Sequence, residues 1–181
     1  MLGVVGSVAA ETFAQLDRLP DDAVVQVDPE AVVTDAEDAV DRAVEAIAAQ
    51  IATGGPVAVM VATEPTDVST TRQAGRNAGL TDEETAAHIE STLATVARAV
   101  HETIALDGLF LTGGAVAAAT LDALDARGVG LAGRAVAAGI PLGHVEGGAV
   151  DGVPLVTKAG KFGDETAIDN SLRFLATNHD R

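Results

Sequence analysis

The sequence predicts an α/β domain, a layered fold with a mostly parallel central sheet and a meander of short strands near its C-terminus. Short apolar runs alternate with amphipathic helical segments over most of the chain, which is typical of a parallel sheet covered by helices. Glycine-bearing turns follow three of the apolar runs, at 6–7, 113–114 and 160–163. Beyond residue 129 the runs lie too close together for helical crossovers, which favours hairpins there.

The predicted strands are short runs of apolar residues bounded by turn-forming residues. They begin with the run that starts at Leu2 and continue at 23–27, 57–61, 109–111, 131–136, 141–145 and 153–158. The run at 57–61 is continuously apolar, as expected for a strand that is covered on both faces. We therefore expect the strands before residue 129 to form the parallel part of the sheet.

The predicted helices are segments in which apolar residues recur at helical spacing. These segments lie at 9–19, 40–51, 89–104, 116–126 and 168–175. Two capping boxes, Thr34 with Glu37 and Thr81 with Glu84, predict where the second and third helices begin. Gly128 is the predicted end of the fourth helix. Residues 62–79 show no sustained period and predict the longest loop.

Composition excludes several classes of function. The 181 residues include no cysteine, which removes disulfides, thiolate zinc sites and cysteine nucleophiles. A net charge of -16 argues against a nucleic-acid partner, because phosphate binding requires a basic surface. No apolar stretch approaches the roughly 20 residues of a membrane span, and the first residues lack the basic region and cleavage pattern of a signal peptide, so we expect a soluble, cytoplasmic protein. With 48% hydrophobic residues, we expect a single domain over residues 1–181.

The acidic surface also indicates a habitat. The chain carries 27 acidic and 11 basic residues, and its only lysines are Lys158 and Lys161. This balance is typical of a halophilic organism, where concentrated salt screens the repulsion between like charges. An ordinary acidic protein from a low-salt environment is the alternative.

The three glycine turns indicate a phosphorylated ligand. In parallel α/β sheets, ligands bind beyond the carboxyl ends of the strands, so the turns that follow the strands can converge on one crevice. Glycine lets backbone N–H groups approach a ligand oxygen, and a helix that starts there adds a favourable field for phosphate. Neither the P-loop signature nor the dinucleotide signature is present. Glycines are also routine in α/β turns, so the spacing alone leaves a purely structural role open.

Several segments resemble the C-terminal nucleotide-binding domain of the four-carbon acid-sugar kinase family. The resemblance covers essentially the whole chain, in matching order and spacing, and its most specific part is the Lys-Ala-Gly-x-Phe-Gly-Asp run at 158–164. The matching segments are Val4-Val5-Gly6-Ser7-Val8 with Thr12 and Gln15 downstream, Leu109-Phe110-Leu111-Thr112-Gly113-Gly114, Gly139-Ile140-Pro141-Leu142-Gly143, and residues 151–164.

The resemblance implies that the chain binds ATP with Mg²⁺ and that an N-terminal domain, absent here, holds a sugar acid such as threonate or erythronate. The residues implied in nucleotide binding are Ser7, Gly113, Gly114, Ala115, Val116, Lys158, Gly160 and Gly163. Two of them depart from the family pattern, because Ala115 and Val116 stand where an acidic and a hydroxyl residue are usual. A phosphotransferase that has only half of its active site should catalyse little or no phosphoryl transfer. The sequence alone assigns no catalytic residue.

Two hypotheses therefore stay open. The chain is either the ATP-binding domain or subunit of a sugar-acid kinase, or a non-catalytic metabolite-binding or interaction module that retains the fold. Asp164 is expected to cap the last helix rather than to bind magnesium. The four histidines, His88, His101, His144 and His179, lack metal-ligand spacing, so we expect no metal site built from them.

Overall fold

A seven-stranded sheet organises the chain in the computed structural model, which describes residues 1–177. The strand order across the sheet is β2-β3-β1-β4-β7-β6-β5. The strands are β1 (Leu2–Val5), β2 (Val24–Gln26), β3 (Val57–Met60), β4 (Leu109–Thr112), β5 (Gly128–Ala137), β6 (Ile140–Glu146) and β7 (Pro154–Lys158). The first five strands in that order run parallel, whereas β6 and β5 are antiparallel to their neighbours. The predicted mixed architecture, with a mainly parallel sheet and a C-terminal meander, is confirmed.

Seven α-helices within residues 1–177 accompany the sheet. They are α1 (Ala10–Leu16), α2 (Ala31–Thr34), α3 (Ala36–Ala52), α4 (Pro65–Asn77), α5 (Asp82–Thr103), α6 (Gly114–Ala123) and α7 (Ala167–Thr177). None of these helices combines the length and the apolar character needed to cross a membrane.

The two faces of the sheet carry separate apolar cores. In β1, Leu2 and Val4 point into one core and Val5 into the other, because side chains alternate along a strand. The first core joins the sheet to α3, α5 and α6 through residues such as Ile47, Leu93 and Val116. The second core joins the opposite face to α1 and α7. The sheet is therefore covered on both faces, which explains why β1, β3 and β4 are buried at every position.

The main error of the sequence prediction concerns residues 62–79, which are largely helical instead of forming a loop. Helix α4 begins with a reciprocal capping box between Glu64 and Asp67 and has Pro65 in its first turn. Its buried residues are Thr71, Ala74 and Gly75, which are small or polar. The helix therefore lacks an apolar stripe, and a prediction based on the spacing of hydrophobic residues does not detect it.

Several boundaries also differ from those predicted. Asp35, not Thr34, caps α3, because its side chain accepts the backbone N–H of Asp38, while Thr34 ends the short α2. Helix α6 begins at Gly114 and ends at Ala123, so it starts and ends earlier than the predicted 116–126. Gly128 begins β5 rather than closing a helix.

The first helix is also shorter than the predicted 9–19, since α1 ends at Leu16 and the chain then turns.

Candidate functional site

A cavity of about 290 Å³ lies beyond the carboxyl ends of β1, β3 and β4. This is the edge at which parallel α/β sheets bind ligands. Its wall is mainly apolar and is built by the strand ends together with α4, α5 and α6. The residues that line it are Val5, Gly6, Ser7, Val8, Val61, Ala62, Val68, Thr71, Arg72, Asp82, Thr85, Ala86, Ile89, Glu90, Leu93, Gly113, Gly114, Ala115 and Val116. Five of the eight predicted site residues therefore lie together in this wall.

The turns after β1 and β4 are pressed against each other at the base of the cavity. The Gly6 amide donates to the Thr112 carbonyl over 2.8 Å, which extends the pairing of the two strands into their turns. A β-carbon on Gly6 would overlap the side chain of Val116, and one on Gly113, where φ is +91°, would lie 2.9 Å from the Ser7 nitrogen. These two glycines are therefore required by the packing of one turn on the other.

Helix α6 presents its N-terminus to this cavity. Gly113 occupies the N-cap position and offers no side-chain hydrogen bond, so the first-turn amides of Gly114, Ala115 and Val116 lack a capping partner. Gly114 and Ala115 are exposed, and a β-carbon on Gly114 would meet nothing within 4 Å. Free amides and the positive end of the helix dipole form a favourable environment for an anion.

Ser7 connects the cavity to the third glycine turn, on the other face of the sheet. The Thr12 hydroxyl shares its one proton between the Ser7 Oγ, at 2.9 Å, and the Gly160 carbonyl, at 3.2 Å. The Ser7 Oγ also accepts the Ala9 amide at 3.3 Å. Gly160 lies directly against Ser7, since a β-carbon there would be 3.1 Å from the Ser7 Cβ. All three predicted glycine turns therefore converge around Ser7, although residues 158–163 do not line the cavity itself.

Lys158 is buried beneath the third turn and binds the backbone. Only 3% of the residue is exposed, and its ammonium donates to the carbonyls of Ala159, Gly160 and Phe162 at 3.2, 2.9 and 3.3 Å. Burial lowers the pKa of this ammonium, and the nearby Glu11 carboxylate partly offsets the effect. The other lysine, Lys161, is exposed.

Gln15 holds the end of the same turn from α1. Its Nε2 atom donates to the carbonyls of Phe162, Gly163 and Asp164 at 3.2, 3.4 and 2.8 Å. Gly163 has a φ of +84°, a conformation that favours glycine. The Asp164 carboxylate accepts the backbone N–H and the hydroxyl of Thr166, and these bonds lower its pKa. Asp164 therefore organises the turn that leads into α7.

The wall formed by α4 and α5 contains polar residues that the sequence reading missed. Arg72 and Asp82 line the cavity and approach each other to 3.9 Å, and Asp82 also pairs with Arg76 at 3.3 Å. Glu90 is a second carboxylate in the wall. The helices pack closely because Gly75 lies against the Thr85 hydroxyl. Arg72 could be predicted as a site residue only if α4 were predicted as a helix. The sequence signal for α4 is Pro65 followed by Asp67, a pattern typical of a helix start.

The histidines are spread over the structure. His88 on α5 and His144 on β6 are exposed, and the Nδ1 atom of His101 accepts the Leu106 amide at 3.4 Å. His179 lies outside the described residues. Within residues 1–177, no three histidine or carboxylate side chains come together as a metal centre.

The fold and the site define an open α/β domain with a cavity beyond the carboxyl ends of its parallel strands, and comparison with known proteins identifies its family. The model of the nucleotide-binding C-terminal domain matches residues 2–168. The chain belongs to this family, as the C-terminal domain of the four-carbon acid-sugar kinase type.

Two curated relatives are D-threonate kinases. The chain is 46% identical over 61 residues to that of Bordetella bronchiseptica and 36% identical over 83 residues to that of Salmonella typhimurium. These alignments cover 34% and 46% of this chain but only 15% and 19% of the two kinases.

Solved structures show the same fold. A Bordetella bronchiseptica protein described as a domain of unknown function, a domain-swapped dimer with bound citrate, superposes with a TM-score of 0.74 at 26% identity, over 97% of this chain and 41% of that one. A Haemophilus influenzae protein superposes with a TM-score of 0.79 at 18% identity, over 96% of this chain and 40% of that one. The chain therefore spans about two fifths of these proteins.

Proposed function

We propose that this chain is the ATP-binding part of a kinase that phosphorylates a four-carbon sugar acid such as threonate or erythronate. The observation that carries the proposal is the convergence of three glycine turns around Ser7, at the sheet edge where α6 begins without a cap. The cavity beside Ser7 has an apolar wall suited to a nucleobase. The two relatives are D-threonate kinases, which supports the same assignment.

In this proposal, the turns bind the phosphates through backbone amides. The first-turn amides of α6 and those of the turn at 160–163 supply hydrogen bonds and positive field without a P-loop. The hydroxyl of Ser7 lies between the two groups. Such fixed dipoles suit phosphoryl transfer, which depends on positioning and on stabilising the charge of the phosphates.

Mg²⁺ would arrive with the nucleotide, because this ion keeps several waters and binds through phosphates and one or two carboxylates. Glu90 is the wall carboxylate best suited to hold it, since Asp82 is already paired with Arg76. When bound, Mg²⁺ would neutralise charge on the phosphates.

The sugar acid requires a partner in this proposal. The chain spans about two fifths of the solved relatives, and we assign the sugar acid to a separate substrate-binding domain or chain. ATP use is consistent with action in the cytoplasm. Residues 1–181 then act as one nucleotide-binding unit, which does not catalyse phosphoryl transfer without the substrate-binding partner.

A pair of variants on α5 tests the nucleotide site. Ala86 lines the cavity and Ala87 does not, yet both are exposed neighbours on one helix. Ala86→Phe should fill the cavity and abolish ATP binding, whereas Ala87→Phe should bind like the parent. The measurement is calorimetric titration with Mg-ATP in high salt, with the melting temperature of each variant as the control for folding.

The result decides between the two functional hypotheses. Saturable binding that only Ala86→Phe removes supports the kinase domain. A folded parent that binds no nucleotide at millimolar concentration would contradict it and favour the non-catalytic module. The packing of Val116 against Gly6 is the observation behind that second candidate, because a buried valine there leaves no hydroxyl for a ligand.

A further inference from the structure

The turn after β7 shows an unusual arrangement of its backbone carbonyls. Those of residues 159, 160, 162, 163 and 164 all accept hydrogen bonds from side chains beneath the turn. The donors are Thr12 and Gln15 on α1 and Lys158 on β7, and all three are buried. We call these three residues the carbonyl clamp. Side chains from two separate elements therefore fix the same turn from below.

The clamp also determines where the amides of the turn point. No peptide bond within residues 1–177 is cis, and in a trans peptide the N–H points opposite to the C=O of the same unit. Five inward carbonyls therefore turn the amides of residues 160, 161, 163, 164 and 165 away from the clamp. None of these five amides donates a hydrogen bond to another group in the part of the chain that the structure describes.

Closely spaced free amides of this kind form a concave anion-binding surface. The surface lies beside the other proposed phosphate contacts, because Gly160 packs against Ser7 and Ser7 lines the cavity. The Lys158 ammonium lies beneath it and adds positive charge to a chain with a net charge of -16. The position of Lys158 suits an electrostatic role from beneath the turn, without direct contact to the ligand.

We propose that Thr12, Gln15 and Lys158 are positioning residues, which hold the turn at 159–164 so that its amides face the phosphates of the nucleotide. This inference rests on the proposed function. It predicts that losing the clamp affects the recognition of phosphate and leaves the recognition of the nucleoside unchanged. A merely structural role would instead weaken both to the same extent.

The experiment measures the affinity for ATP and for adenosine in the same set of variants. Gln15→Met keeps the length of the side chain and removes its donors. Lys158→Met also removes the donors and leaves an unbranched chain one atom shorter, and Thr12→Val is a milder third variant. Leu175→Val is the control, because Leu175 is buried in the core between the sheet and α7 and has no hydrogen bond to the turn. Each variant is titrated with both ligands, and its melting temperature is recorded.

We expect the clamp variants to bind ATP roughly tenfold or more weakly, as for the loss of one or two hydrogen bonds, with adenosine affinity unchanged. Lys158→Arg, which restores a cationic donor, should recover part of the loss. Leu175→Val should leave the ratio of the two affinities at the parent value. An unchanged ratio in all folded clamp variants would overturn the inference while leaving the proposed function intact. A parent that binds neither ligand would overturn both.

Discussion

The Ser7 hydroxyl occupies the space that a β-carbon on Gly160 would need. These two residues are far apart in the sequence and come from turns on different strands, β1 and β7. Their contact joins the cavity wall to the clamped turn, and Thr12 bonds to both of them. A substitution at either residue should therefore change the packing of the other.

Replacing Gly160 with alanine should destabilise the fold by about 1 to 3 kcal/mol, the usual cost of overpacking. The loss of stability comes from steric overlap and not from backbone strain, because Gly160 is not one of the glycines with a positive φ. Denaturant unfolding of Gly160→Ala, Ser7→Gly and the double variant measures the coupling. Ser7→Gly should recover much of the loss, and strict additivity of the two changes would contradict the contact.

Raising the pH should reveal the burial of Lys158. Burial lowers its pKa below the ordinary 10.5, so the folded protein loses this proton at a lower pH than the unfolded chain does. At pH values between the folded-state and unfolded-state pKa, the unfolded chain binds more protons than the folded protein. The contribution of Lys158 to the free energy of unfolding therefore increases as the pH rises, by at most about 1.4 kcal/mol per pH unit.

The measurement is chemical unfolding of the parent and of Lys158→Met at several pH values up to about 10.5. The parent should gain stability relative to the variant as pH increases. A relative loss in that range would mean that the folded state holds the proton more tightly than the unfolded chain does, contrary to the buried position of the ammonium.

Salt should stabilise the protein. A net charge of -16 on 181 residues produces repulsion that is screened over ~3 Å at molar salt but reaches ~10 Å at 0.1 M. The melting temperature should therefore fall steadily as KCl is lowered. An equal drop in osmolarity, made with sucrose at constant ionic strength, is the control. A melting temperature that does not depend on salt would contradict the halophilic interpretation.

The layered architecture could be predicted because its strands are short apolar runs separated by clear turn residues. The run at 57–61 and the Thr81 capping box each correspond to an element of the structure. Helix α4 could not be predicted in the same way, since its buried face consists of Thr71, Ala74 and Gly75 and carries no apolar period.

The site was predictable only in part for a different reason. The glycine turns are visible in the sequence, but the packing that requires them, such as Gly6 on Val116, depends on which strands are neighbours. Likewise, Gln15 reaches residues almost 150 positions away, and its role follows from the placement of α1 beside the turn after β7. Contacts between distant segments leave no local pattern to read.

In the proposed function, the nucleotide binds where the three turns meet around Ser7. The most direct measurement is an NMR titration of the ¹⁵N-labelled protein with Mg-ADP in high salt, which follows every backbone amide at once. We expect saturable shifts of the amides at 6–8, 113–116 and 160–165. Shifts confined to other parts of the chain, or none at millimolar nucleotide in a folded sample, would contradict it.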